Sequence, residues 1–96
     1  MAKVRAHTNH IVKRGGHTQP YDRSKLYASI YAAALSVHEP VGVAELLAET
    51  VVQAFEHWLG NRHEVTSLDI RRVAAEALAQ HNEDAAYIYR HHRNIS

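Results

Sequence analysis

The chain of 96 residues contains no cysteine. Disulfide staples, thiolate zinc ribbons and thiol nucleophiles are therefore excluded. Proline is limited to Pro20 and Pro40, and glycine to Gly15, Gly16, Gly42 and Gly60. With so few breakers, each one punctuates the pattern at a definite place. No apolar run approaches the roughly 18 residues that a membrane-spanning helix needs. The basic N-terminus has no apolar segment behind it, so it does not read as a secretory signal. A cytoplasmic protein without a membrane partner is the default expectation. Net charge is lacking too: it is +1 with histidines neutral, which disfavours a generic nucleic-acid binder. What is plentiful is apolar side chain, 46% of the residues, enough for one core in one small domain.

The near-zero total hides a strong asymmetry. Residues 1–25 hold six Lys or Arg against Asp22, a balance of +5. Residues 26–84 hold nine acids against three arginines, a balance of −6, and Arg90 and Arg93 return +2 at the end. Two basic ends that meet in space, with the acidic middle elsewhere, would make one positive site.

Residues 1–8 are polar and read as a flexible tail, leaving 9–96 as the folded domain. A short β-prone run covers Asn9 to Lys13 and includes Ile11 and Val12. Gly15-Gly16 suits a hairpin turn, since glycine takes positive φ at both central positions. His17 to Gln19 returns as a second strand, and Pro20, without an N–H, ends the ladder. Asp22 is a good N-cap for a helix opening at Arg23, with Leu26, Ile30, Ala33, Ala34 and Val37 on one face. That helix stops near His38, ahead of Pro40. A second helix runs from Val43 to Leu59, with Leu47, Val51, Ala54, Phe55 and Trp58 as its stripe and Gly60 as its C-terminal cap. Arg62 to Val65 reads as a third short strand. Thr66-Ser67-Leu68-Asp69 resembles a capping arrangement ahead of a helix burying Ile70, Val73, Ala74, Ala77 and Leu78. Asn82 caps a fourth helix with Ala85, Ile88, Tyr89 and His92 on one side. The expected fold is α+β and mostly α: a four-helix bundle capped by a small three-stranded β-sheet.

The chemistry concentrates in HIVKRGGHTQPYDRSKL, residues 10–26. Lys13 and Arg14 meet a turn whose glycines let a ligand's phosphates approach the backbone. Lysine offers a point charge and arginine a planar fork, and both suit phosphate oxygens. Lys25 lies one turn into the first helix, beside its positive dipole end. Three cations converging on one helix end would suit a polyphosphate. A solvated hairpin tip with surface cations accounts for the same residues on composition alone. On the last helix Tyr87, Tyr89, Arg90, His91 and Arg93 make an aromatic-basic patch suited to stacking on a base, with core packing of Tyr89 as the plainer reading. No Walker glycine-lysine pattern and no Rossmann glycine pattern occur. The nine histidines show no His-x-x-x-His pair with a nearby acid, so no metal site is expected. Ser24, Ser29 and Ser67 sit in no nucleophile elbow, and Ser67 is better read as a helix-cap residue. An enzyme is not expected.

These pieces resemble a known module. VKRGGHTQPYDRSKL is similar to the opening of the ATP-cone domain, EVTSLDIRRVAAEAL to its second signature, and AAYIYRHHR to its closing segment. The resemblance covers about residues 10–93. The first motif is fairly specific, and the other two follow in the right order and spacing. ATP-cones bind ATP or dATP and sit in ribonucleotide reductases, where they switch activity through oligomeric state, or in a zinc-ribbon repressor of reductase genes. The resemblance implies a four-helix bundle with a three-stranded cap. It implies ATP or dATP as bound effector, with or without Mg2+, and a ribonucleotide reductase subunit or a second copy of the chain as protein partner.

Carried over by position, Val12, Lys13 and Arg14 lie along the nucleotide, the two cations on phosphates. Gln19 and Tyr21 approach the sugar and base, and Asp22 hydrogen-bonds the base. Lys25 matches the phosphate lysine of the first helix. Thr66 matches the threonine at the start of the third helix, with Ser67 as the alternative register. His91 falls where a basic phosphate contact is usual, with Arg93 as its substitute. Three departures stand out. Gly15 replaces the usual Asp or Asn, His91 is a weak cation at neutral pH, and these 96 residues include no reductase domain or zinc ribbon. The start at Met1 and the helix near the end favour a stand-alone chain. The expected function is a regulatory domain that binds ATP or dATP and acts allosterically on a separate partner, most readily ribonucleotide reductase. The alternatives are a cone-fold interaction domain that has lost nucleotide binding, and a nucleic-acid-binding transcriptional regulator.

Overall fold

The computed structural model describes residues 10–12, 18–62 and 64–91. The N-terminal tail, Lys13, Arg14, the Gly15-Gly16 turn, His63, His92 and Arg93 lie outside the described residues. The described elements in chain order are β1 (His10–Val12), β2 (Thr18–Pro20), α1 (Arg23–Ser36), α2 (Val41–Leu59), β3 (Glu64–Thr66), α3 (Ser67–Ala79) and α4 (Glu83–His91). The helical bulk agrees with the expected mostly helical domain.

The helices form a closed circuit, with α1 against α2, α2 against α3, α3 against α4, and α4 back on α1. Each helix owes its place to its apolar face. Leu26, Ile30, Ala33 and Ala34 are buried on α1, and Leu47, Val51, Val52, Phe55 and Leu59 on α2. Ala74, Ala75 and Leu78 are buried on α3, and Ala85, Ala86 and Tyr89 on α4. Full burial of a Leu, Ile or Phe side chain is worth about 1.5–3 kcal/mol, so these faces hold the circuit together.

The ends are set by capping chemistry. Asp22, in extended backbone, accepts from the amides of Ser24 and Lys25. Thr66 and Asp69 form a reciprocal capping box: Asp69 N–H donates to Thr66 Oγ1, and Thr66 N–H donates to the Asp69 carboxylate, each at 3.0 Å. Asn82 Oδ1 accepts from Ala85 N–H at 2.9 Å, and its Nδ2 donates to Glu39 on the α1–α2 turn. Gly60 closes α2 with φ +46°, a conformation that glycine tolerates best.

Three local expectations are corrected. The second helix begins at Val41 rather than Val43. Pro40 sits at its N-cap, where no N–H is needed and its carbonyl accepts from Ala44. Gly42 falls in the first turn, whose amides lack intrahelical partners anyway, so it does not break the helix. Ala54 is exposed, while Ala44, Ala48, Val52 and Leu59 complete the buried stripe. The third strand is Glu64–Thr66, displaced toward α3.

The three short strands pair by backbone in the order β2-β1-β3. β1 runs antiparallel to β2, with Val12 opposite Thr18, and parallel to β3, with Val12 opposite Thr66. Pro20 is the last residue of the edge strand, opposite His10, a position that tolerates its missing donor.

Candidate functional site

Pro20, Tyr21, Asp22, Arg23, Ser24 and Lys25 line an open groove of about 490 Å³ where β2 passes into α1. Three sequence-predicted residues, Tyr21, Asp22 and Lys25, are thereby brought together. The local reason is the extended Pro20–Asp22 segment, which turns abruptly into a helix when the Asp22 side chain captures the first free amides.

The same cap changes the electrostatics that the sequence suggested. Asp22 Oδ1 lies 3.0 Å from Ser24 N and 3.4 Å from Lys25 N. The positive end of α1 is already met by the chain's own carboxylate. Lys25 is exposed on the groove wall.

Tyr21 is half-buried. Its ring packs on Phe55 with centroids 5.5 Å apart, and its hydroxyl donates to Glu56 Oε2 at 2.9 Å. Burial, followed by the charge of Glu56, pushes its phenol above the usual tyrosine range. The Tyr21 hydroxyl thus faces α2 and is occupied there.

Arg23 was legible only as one more cation opening a helix. In the structure it is the best-partnered residue of the groove. Its Nη2 donates to Glu49 Oε2 at 2.7 Å, its Nη1 to Glu49 Oε1 at 3.4 Å, and its Nε to Glu56 Oε2 at 3.1 Å. The hydrogen bond with Glu49 is the largest cause raising the guanidinium above its ordinary value, and in return holds the Glu49 carboxyl below its own. Gln53 donates to the same Glu49 oxygen at 2.8 Å. Glu49, Gln53 and Glu56 follow an i, i+4, i+7 spacing, which puts them on one face of α2. That spacing was the available signal; nothing local tied it to Arg23.

The remaining candidates fall around this region unevenly. The backbone of Val12 is paired between Thr18 and Thr66, so β1 brings the first motif beside the start of α3. Gln19 lies in β2 opposite Ile11. Thr66 is exposed, with its hydroxyl engaged in the α3 cap. Neither Thr66 nor His91 belongs to the groove lining. His91 stands exposed in the last turn of α4, its Nδ1 2.9 Å from the Tyr87 carbonyl and its ring 4.2 Å from the Tyr87 ring. A carbonyl only accepts, so Nδ1 carries the proton in this contact.

The aromatic-basic patch of the last helix is not one surface. Tyr89 is 2% exposed and belongs to the core, whereas Tyr87 is 60% exposed. Two positions apart on a helix, the rings point in widely different directions. Arg71 donates to the Tyr89 carbonyl at 2.9 Å and lies 5.6 Å from its ring. Together with Leu68, Arg72, Glu76 and Arg90 it lines a second, smaller groove of about 300 Å³ between α3 and α4. No group of three or more His, Asp or Glu among the described residues is arranged to hold a metal ion. No helix among them is long and apolar enough to cross a membrane.

The family model described as ATP cone domain matches residues 9–95, nearly the whole chain. Neither the curated proteins nor the solved structures contain a significant match to the chain.

Proposed function

The chain belongs to the ATP-cone domain family, and on that premise we propose that it binds ATP or dATP and regulates a separate protein. The family is a nucleotide-binding regulatory module, and regulation without catalysis is the role proposed for this chain. The observation that carries the reading is the open groove on the Pro20–Lys25 segment. Its volume of about 490 Å³ lies within the roughly 300–1,000 Å³ typical of small-ligand sites. It is built from the stretch that matches the family's first motif.

In this reading Lys13, Arg14 and Lys25 hold the phosphates and Val12 lies along the nucleotide. Gln19, Asp22 and Tyr21, the last by its ring rather than its hydroxyl, face the sugar and base, while Thr66 and His91, outside the groove lining, close the far side. The paired strands serve as a lid over the helical bundle. Mg2+ would accompany the triphosphate rather than occupy a site made by the protein. Nucleotide binding shifts the population between arrangements that expose or hide a helix face. The partner is a ribonucleotide reductase subunit in the cytoplasm, or a second copy of the chain.

A second reading, a cone fold without nucleotide binding, is favoured by one observation. Asp22 already occupies the amides at the start of α1. Calorimetry with ATP, dATP and GTP separates the two. The first reading expects binding of the adenine nucleotides and its loss in Lys13→Ala; no heat with any of the three at millimolar concentration sinks it.

A further inference from the structure

Arg23 faces two surroundings at once. It lines the groove together with Lys25, yet its guanidinium is held on α2 by Glu49 and Glu56. Two carboxylates meet one guanidinium, so this clasp has a net negative charge beside the groove. Its side chains are far from sealed: Arg23 is 43% exposed and Glu49 41%. Exchange of one anionic partner for another therefore requires no burial of charge. The planar fork that fits a carboxylate fits a phosphate equally well.

From this geometry we propose that Arg23 is a competed clasp. A polyphosphate in the groove and the carboxylate of Glu49 draw on the same guanidinium, so ligand binding loosens α1 from α2 and the closed clasp weakens ligand binding. The proposal rests on the nucleotide reading above and adds to it the residue that tunes affinity and the helix that registers occupancy. Reciprocity follows from linkage: whatever the clasp takes from ligand affinity, the ligand takes from the clasp.

The route onward is a line of contacts. Tyr21 donates to the same Glu56 oxygen that receives Arg23 Nε. The Tyr21 ring touches Phe55, and Phe55 lies 5.7 Å from Trp58. Trp58 is the only tryptophan in the chain, so its emission reports directly on this end of α2.

The test is an ATP titration of wild type, Glu49→Gln, Arg23→Gln and the double variant, by calorimetry and by Trp58 fluorescence. Both residues are exposed and leave the core untouched; circular dichroism verifies each fold. Glu49→Gln is expected to bind ATP about twofold to fivefold tighter than wild type, the range set by an exposed ion pair. On the Arg23→Gln background the same change is expected to give no gain. Saturation with ATP shifts Trp58 emission in wild type and not in Arg23→Gln. Equal or weaker affinity of Glu49→Gln overturns the clasp, as does an equal gain without Arg23 or an unmoved Trp58 signal in wild type. If none of the four proteins binds ATP, the nucleotide reading itself fails and the clasp falls with it.

Discussion

The hydroxyl of Tyr21 donates to Glu56 at 2.9 Å, across 35 positions of sequence. The bond ties the segment between β2 and α1 to the C-terminal part of α2, and it does so with an un-ionised phenol. Burial and the Glu56 charge hold Tyr21 above the usual tyrosine range, and burial pushes Tyr89 up to about 12. Both phenols are therefore neutral in the fold at pH values where an unfolded chain has lost the proton. Their contribution is complete below the ordinary tyrosine value of about 10. It is lost as pH rises through the folded values. The urea midpoint is expected to hold steady from pH 7 to 9 and to fall between about pH 10 and 12. Tyr21→Phe, which cannot ionise, is expected to fall less steeply over the same interval.

The capping box at α3 separates structure from binding at Thr66. Thr66→Ala removes an acceptor for the Asp69 amide and is expected to lower stability by about 1 kcal/mol. Thr66→Ser retains the hydroxyl and is expected to stay within about 0.5 kcal/mol of wild type. Denaturant titration of the two variants checks both values. A loss of ATP binding in Thr66→Ala that Thr66→Ser restores would then be a hydroxyl effect.

Lys25 is exposed and serves no part of the core. Lys25→Ala is expected to leave the thermal midpoint within a few degrees of wild type. Loss of one charge-assisted phosphate contact, worth about 1.5–3 kcal/mol, is expected to weaken ATP binding by at least about tenfold. Calorimetry beside a melting curve distinguishes this outcome from unfolding.

The corner between α1 and α2 carries a testable strain. His38 has φ +70°, and its amide bonds to Leu35 while that of Glu39 bonds to Ala34. This is the Schellman pattern, with histidine where glycine is usual. His38→Gly relieves a left-handed conformation costing about 1–2 kcal/mol, against a glycine entropy cost of about 0.5–1 kcal/mol. A net stabilisation of about 0.5–1 kcal/mol is expected by denaturant titration.

Sequence signals proved legible where one short segment decides the outcome. Asp22, Thr66 and Asn82 are all caps, because capping is a bond between a side chain and an amide two or three positions on. The faces of α1 and α3 follow their helical period. What stayed hidden depends on partners far along the chain. Arg23 meets Glu49 and Glu56, and Asn82 meets Glu39, only after the helices assemble. The His38 corner was hidden because histidine does not announce a left-handed residue as glycine does. Of the candidate site, Tyr21, Asp22 and Lys25 could be picked out as neighbours at one helix start. That the Tyr21 hydroxyl and Arg23 turn toward α2 could not.

Each of the four helices gives two alanines to the interior: Ala33 and Ala34, Ala44 and Ala48, Ala74 and Ala75, Ala85 and Ala86. A methyl group has no rotamers to forfeit when it is enclosed, so these places order without side-chain penalty. Neither can it swing aside for a bulkier neighbour. Drift in this sequence is thereby steered outward, to the solvent-facing rims of the rods, while the contact seams between them admit almost no enlargement.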